Sequence, residues 1–139
     1  MLKQIFLSVM LIAASAAFPL VNRQGVGVVA TSPTASQEVA SAITSFSDDV
    51  NAVSDALTAL ETETDATTIT AIATSAFSTE SDVNSHRHVL FRFAGDAGNN
   101  ANQMITTFAP QVSSGFQAII NDPSPQTANS QAQQISAIR

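Results

Sequence analysis

The cationic cluster His86-Arg87-His88, followed by Arg92, is where residue types come closest to a reactive site. Two imidazoles with Asp82 or Glu80 could ligate a metal, and the guanidinium groups could hold an anion. Spacing separates these readings. Asp82 and His86 are four residues apart and share one face of a helix, with Glu80 close by. His86 and His88 are only two apart and point away from each other, so they cannot act as the two-histidine pair of a helical zinc site. We expect no metal here, and an exposed Asp82–His86 ion pair as the plainer role. Arg87 and Arg92 flank Phe91 and lie beside Phe93. An arginine at the mouth of an apolar pocket could pair the carboxylate of a fatty acid. The alternative is an aliphatic stem lying along a core aromatic, with the charged head in water.

The carboxylates offer less. Asp48, Asp49, Asp55, Glu61, Glu63 and Asp65 surround one helix and its exit. Paired glycosidase acids need a cleft, usually with aromatic sugar platforms, and the chain has no Trp or Tyr. The 17 Ser would let a Ser-His-Asp set be assembled on paper, but no nucleophile motif accompanies them. We expect a protein that is not an enzyme and uses no cofactor. The large apolar side chains are the stronger binding candidates: Phe46, Phe77, Phe91, Phe93, Met104, Phe108 and Phe116. Core packing accounts for most of them. Phe91 and Phe93 cannot both share one helical face with Leu90, so one is expected to be exposed or to line a groove.

Helices must position these residues. Val39, Ile43, Phe46, Val50, Val53, Leu57 and Leu60 alternate spacings of four and three, an unbroken apolar seam. Ser32-Pro33 supplies a cap and a first-turn proline, with Thr34 and Gln37 as an alternative capping box. Asp65 caps a second helix whose seam reads Ile69, Ile72, Ala76, Thr79, Val83, His86, Leu90 and Phe93, with a break expected near Ser78 to Ser81. Gly95, Gly98 and Asn99-Asn100 mark a turn or kink. The pattern resumes at Ala101, Met104, Ile105 and Phe108. Pro110 reads as the start of another helix carrying Val112, Phe116, Ile119 and Ile120. Asn121-Asp122-Pro123-Ser124-Pro125 stops it, and Ala128, Ala132, Ile135 and Ile138 form a last stretch. The expected fold is all-α: an antiparallel bundle of four to five helices over residues 36–139, after a flexible arm over 18–35.

Composition narrows partners and location. Residues 1–17 join Lys3 to a short apolar run and the small residues Ala14-Ser15-Ala16-Ala17, the pattern of a cleaved signal peptide. The run is too short to span a membrane, and no other segment reads as transmembrane. Secretion follows as the expectation. The full 139 residues carry a net charge of −6; without Lys3, four Arg face eleven Asp and Glu, giving −7. That excludes a phosphate-backbone reader, since nucleic acid calls for a basic surface. With no cysteine, neither disulfides nor thiol chemistry is available. Thr31-Ser32-Pro33-Thr34 could accept O-linked sugar.

Three stretches carry a likeness. They are Thr74-Ser75-Ala76-Phe77-Ser78-Thr79-Glu80-Ser81-Asp82 with His86-Arg87-His88-Val89-Leu90, then Ala94-Gly95-Asp96-Ala97-Gly98-Asn99-Asn100-Ala101-Asn102, and Phe116-Gln117-Ala118-Ile119-Ile120-Asn121-Asp122-Pro123. With the signal-like start and the Ser/Thr/Ala-rich first helix, residues 36–139 resemble the small secreted fungal proteins related to hydrophobic surface binding protein A and the cell-wall galactomannoproteins. The resemblance implies a secreted or wall-associated helical protein that adsorbs to hydrophobic surfaces or holds a fatty acid between helices. No catalytic residues carry over. This chain is shorter than the family's usual domain and reaches Arg139 within a helical pattern, where the resemblance implies a further helix. Without it, a lipid cavity would lack one wall. The expected partner is therefore a hydrophobic surface or a fatty-acid-like ligand, with cell-wall material as a further candidate. The alternative is a structural wall component or a secreted effector that engages a protein.

Overall fold

The structure is a computed structural model that describes residues 33–139. Residues 1–17, read as a signal peptide, and residues 18–32 of the arm lie outside the described residues. The described chain is all-helical, with no strand among its residues. Four α-helices follow one another: α1 (Pro33–Leu60), α2 (Ala66–Ala94), α3 (Asn99–Asn121) and α4 (Pro125–Ile138). A 3-10 turn, Gly95–Gly98, joins α2 to α3.

Local chemistry sets the boundaries. Pro33 opens α1, where a missing backbone N–H leaves nothing unpaired. After Leu60 the chain turns, and the Glu63 carboxylate accepts from the Thr64 and Asp65 amides at 2.7 and 2.9 Å. Asp65 caps α2 by accepting from the Thr68 amide at 2.8 Å, which draws its carboxyl below the usual range. Gly95 ends α2 at φ +53°, a backbone conformation that side chains resist. Ser124 caps α4 through the Thr127 amide at 3.3 Å, with Pro125 in the first turn.

Two expected boundaries are absent. α2 runs unbroken through Ser78 to Ser81. Its hydroxyls bond back within the helix, Thr79 Oγ1 to the Ser75 carbonyl at 3.0 Å and Ser85 Oγ to the Ser81 carbonyl at 3.3 Å, so they do not cap a new start. Pro110 lies inside α3 rather than beginning a helix. Pro110 and Thr106, whose carbonyl loses its helical partner there, are both on the exposed side, where water can serve that carbonyl.

Side-chain pairs give the helix directions. Glu38 and Asp49 of α1 meet Arg92 and His86 of α2, so residue numbers rise along one helix as they fall along the other. Arg87 of α2 meets Asn102 of α3 across the 3-10 turn. The Asn129 amide of α4 donates to the Glu61 carbonyl at 2.6 Å, which places the first turns of α4 beside the exit of α1. Each helix packs on the next, and α4 closes on α1, whereas the diagonal helices barely touch.

The lengths are unequal. At 1.5 Å per residue, α1 and α2 extend about 42 Å and α4 only about 21 Å. The core follows α4. Val53, Leu57 and Leu60 of α1, Ile69, Ala73 and Ala76 of α2, Val112, Phe116 and Ile119 of α3, and Ala128, Ala132 and Ile135 of α4 form one buried cluster. Gly115 lets α3 and α4 approach: a Cβ there would stand 2.7 Å from Ile135 Cδ1. Beyond α4, the first half of α1, the second half of α2 and the first half of α3 continue as three described helices.

Candidate functional site

The seven apolar candidates do not converge on one pocket. Phe116 is fully buried in the four-helix core, and Phe46 is buried outside that cluster. Phe91 and Phe108 are half-buried. Phe77, Phe93 and Met104 are each 39% exposed, high for side chains of this size. Phe77 and Phe93 are sixteen residues apart on one helix. That is about 24 Å along the axis and nearly opposite in direction, so a single small ligand cannot bridge them.

What does gather is the apolar content of the three-helix end. Phe93 and Met104 are exposed there, with Leu90, Phe91, Ile105 and Phe108 half-buried beside them in sequence and Val39 and Ile43 half-buried on the facing part of α1. Gly98 belongs to the same end, where an added Cβ would stand 3.3 Å from the Phe91 ring. The expectation that Phe91 and Phe93 would differ in exposure holds, with Phe93 the outer residue.

The arginines separate as well. Arg92 forms an ion pair with Glu38, and its guanidinium sits 4.9 Å from the centre of the Phe93 ring. A carboxylate of the chain thus occupies the role assigned to a fatty acid, and both groups are well exposed, so the pair contributes little to stability. Arg87 is 7% exposed. It donates to Asn84 Oδ1 at 3.4 Å and to Asn102 Oδ1, and its Nη2 lies 3.0 Å from His88 Nε2. Guanidinium only donates, so a hydrogen bond there makes the His88 ring nitrogen the acceptor. Burial lowers the Arg87 pKa. Arg87 is therefore not an exposed head lying over a core aromatic.

The expected Asp82–His86 ion pair does not form. His86 Nε2 instead lies 3.5 Å from Asp49 Oδ2 on α1. Burial raises the Asp49 carboxyl above its usual value, with His86 opposing the shift. Glu80, considered as a metal partner, is buried at 4% exposure. Burial raises its carboxyl, and the charge of Arg139 acts against that shift. No group of three His, Cys, Asp or Glu among the described residues could hold a metal ion.

Sequence reading missed Glu80 and Arg87 as interior residues. The buried stripe of α2 is Ile69, Ala73, Ala76, Glu80, Val83 and Arg87, at spacings of four and three. Because two positions of this stripe are charged, the apolar pattern alone follows the neighbouring row through Ile72, Thr79, His86 and Leu90. The available signal was the strict 4,3 spacing that places Glu80 and Arg87 in register with Ile69 and Ala73.

No helix among the described residues is long and apolar enough to cross a membrane. No family model matches this chain, and neither the curated proteins nor the solved structures contain a match.

Proposed function

We propose that this is a secreted, non-enzymatic helical protein that binds hydrophobic surfaces through its three-helix end. In this reading residues 1–17 are a cleaved signal peptide, the folded part is an antiparallel bundle of the four-to-five-helix class, and the site of action is outside the cell or at the wall. The resemblance to fungal surface-binding and galactomannoprotein families stands as part of the proposal. One observation carries it. At the end beyond α4, Phe93 and Met104 are 39% exposed, and half-buried Phe91, Phe108, Leu90 and Ile105 accompany them, whereas alongside α4 the large exposed apolar side chain is Phe77. Covering such residues gains about 25 cal/mol per Å² of apolar area.

Adsorption to a surface fits better than enclosure of an acyl chain. The largest aromatic of the core, Phe116, is packed among aliphatic neighbours. The exposed groups do not line one pocket, and Arg92 is already engaged by Glu38.

The test compares retention of residues 18–139 on alkyl-coated and hydroxyl-coated beads, with a Phe93→Ser/Met104→Ser variant alongside. The proposal expects several-fold more protein on the alkyl beads and loss of that excess in the variant. Equal retention on both bead types would count against it, and would favour the second reading, a wall component or effector acting through a protein partner.

A further inference from the structure

We propose that Arg87 anchors a binding site for a small oxyanion at the joint between α2 and α3. This does not depend on the surface-binding reading. Arg87 is more than nine-tenths buried, yet every acceptor it meets is neutral: the side-chain oxygens of Asn84 and Asn102, and a histidine nitrogen of His88. A guanidinium stays charged in proteins, and a buried charge needs an opposite charge or a full set of acceptors.

Among the described residues no carboxylate forms an ion pair with it. All eleven carboxylates lie between Glu38 and Asp122, so residues 1–37 contribute none. α3, the helix that Arg87 faces through Asn102, carries no charged residue from Asn99 to Asn121. Among the described residues the acid–base contacts are Glu38 with Arg92 and Asp49 with His86. Arg139, also shielded from water, differs in having the charge of Glu80 to oppose it.

Three acceptors meet five guanidinium N–H groups, so two donors remain for another oxygen. The Nη2 side is met by His88, which is itself exposed. An anion arriving there meets a planar fork that suits two oxygens of a carboxylate or phosphate. The shared chemistry is an oxyanion with two adjacent acceptor oxygens.

The experiment follows thermal unfolding and the Arg87 side-chain Nε–H resonance of residues 18–139 in acetate, in phosphate and in chloride at equal ionic strength. At about 50 mM oxyanion the midpoint should rise by about 2–5 °C over chloride, and the Arg87 resonance should move. A larger response to acetate would assign the site to carboxylates, and a larger response to phosphate would assign it to phosphate groups. Arg87→Gln should lose the rise. His88→Ala, which uncovers Nη2, should keep or enlarge it, so the inference stays testable if the Arg87 variant fails to fold. An unmoved Arg87 resonance, or an equal rise in Arg87→Gln, would overturn the proposal.

Discussion

The two ends of this molecule are built from the same helices but solve different problems. Where α4 is present, four helices close around Val53, Leu60, Ile69, Val112, Phe116, Ile119 and Ile135, each exposed by 2% or less. Beyond α4 the same α1, α2 and α3 continue with charged groups at interior positions and large apolar groups outside. Arg87 takes a buried heptad position there, and Phe93 and Met104 face out. A fourth helix thus does more than add area. It allows a stripe of small and aliphatic residues to be buried completely, although Phe77 still stands out from α2 there.

The largest difference between the ends should appear on truncation of an aromatic. Phe116→Ala removes a fully buried ring from the four-helix core and should cost about 3–5 kcal/mol, read by urea denaturation followed by circular dichroism. A cost below about 1 kcal/mol would show that the sealed end is not the stable end.

Next comes the boundary layer. Arg139→Ala leaves the buried Glu80 carboxylate without its opposing charge and should cost about 1–3 kcal/mol at neutral pH, measured in the same way. The pH dependence sharpens this. Burial holds the Glu80 carboxyl above its ordinary value of 4.5. The stability it contributes is therefore complete below 4.5 and is lost as pH rises through the raised value. Glu80→Gln should flatten stability across that window, as pH-dependent urea midpoints will show. Asp65 acts in the opposite sense. Its carboxyl is held low by the Thr68 amide, so its contribution is lost as pH falls through the lowered value.

A smaller effect separates the two glycine contacts. Gly115→Ala would press on Ile135 at 2.7 Å, and overpacking should outweigh the gain in helix propensity by about 1 kcal/mol. Gly98→Ala meets Ala94 at 3.0 Å and Phe91 at 3.3 Å, both longer than the Ile135 contact, and should be milder. Thermal midpoints of the two variants test the order. The smallest stability change belongs to Phe93→Ser/Met104→Ser, expected within about 0.5 kcal/mol although its adsorption is lost.

How much of this was legible in the sequence follows the same division. The closed end was readable because its side chains obey one rule: apolar residues at spacings of three and four, with Asp65 at a helix start and Asn121 to Pro125 as a stop. Ala128, Ala132 and Ile135 are buried as their spacing implied. The three-helix end broke that rule. Glu80 and Arg87 occupy buried positions, so the hydrophobic pattern pointed to the adjacent row. Pro110 and the Ser78–Ser81 run carried stop signals that packing and helix-internal hydrogen bonds overrode. The Asp49–His86 and Glu38–Arg92 pairs link residues 37 and 54 positions apart, and no local spacing announces them. The candidate phenylalanines are apolar, but which of them face outward, Phe77 alongside α4 and Phe93 beyond it, is set by packing that no local spacing announces.

The central claim, that the three-helix end is the adsorbing surface, is tested most directly by amide hydrogen exchange of residues 18–139, free and bound to alkyl-coated beads. Gained protection confined to residues 39–50, 83–94 and 99–108, with residues 53–76 and 112–135 unchanged, is the predicted result. Protection gained chiefly over 53–76 and 112–135, or spread evenly along the chain, would contradict it.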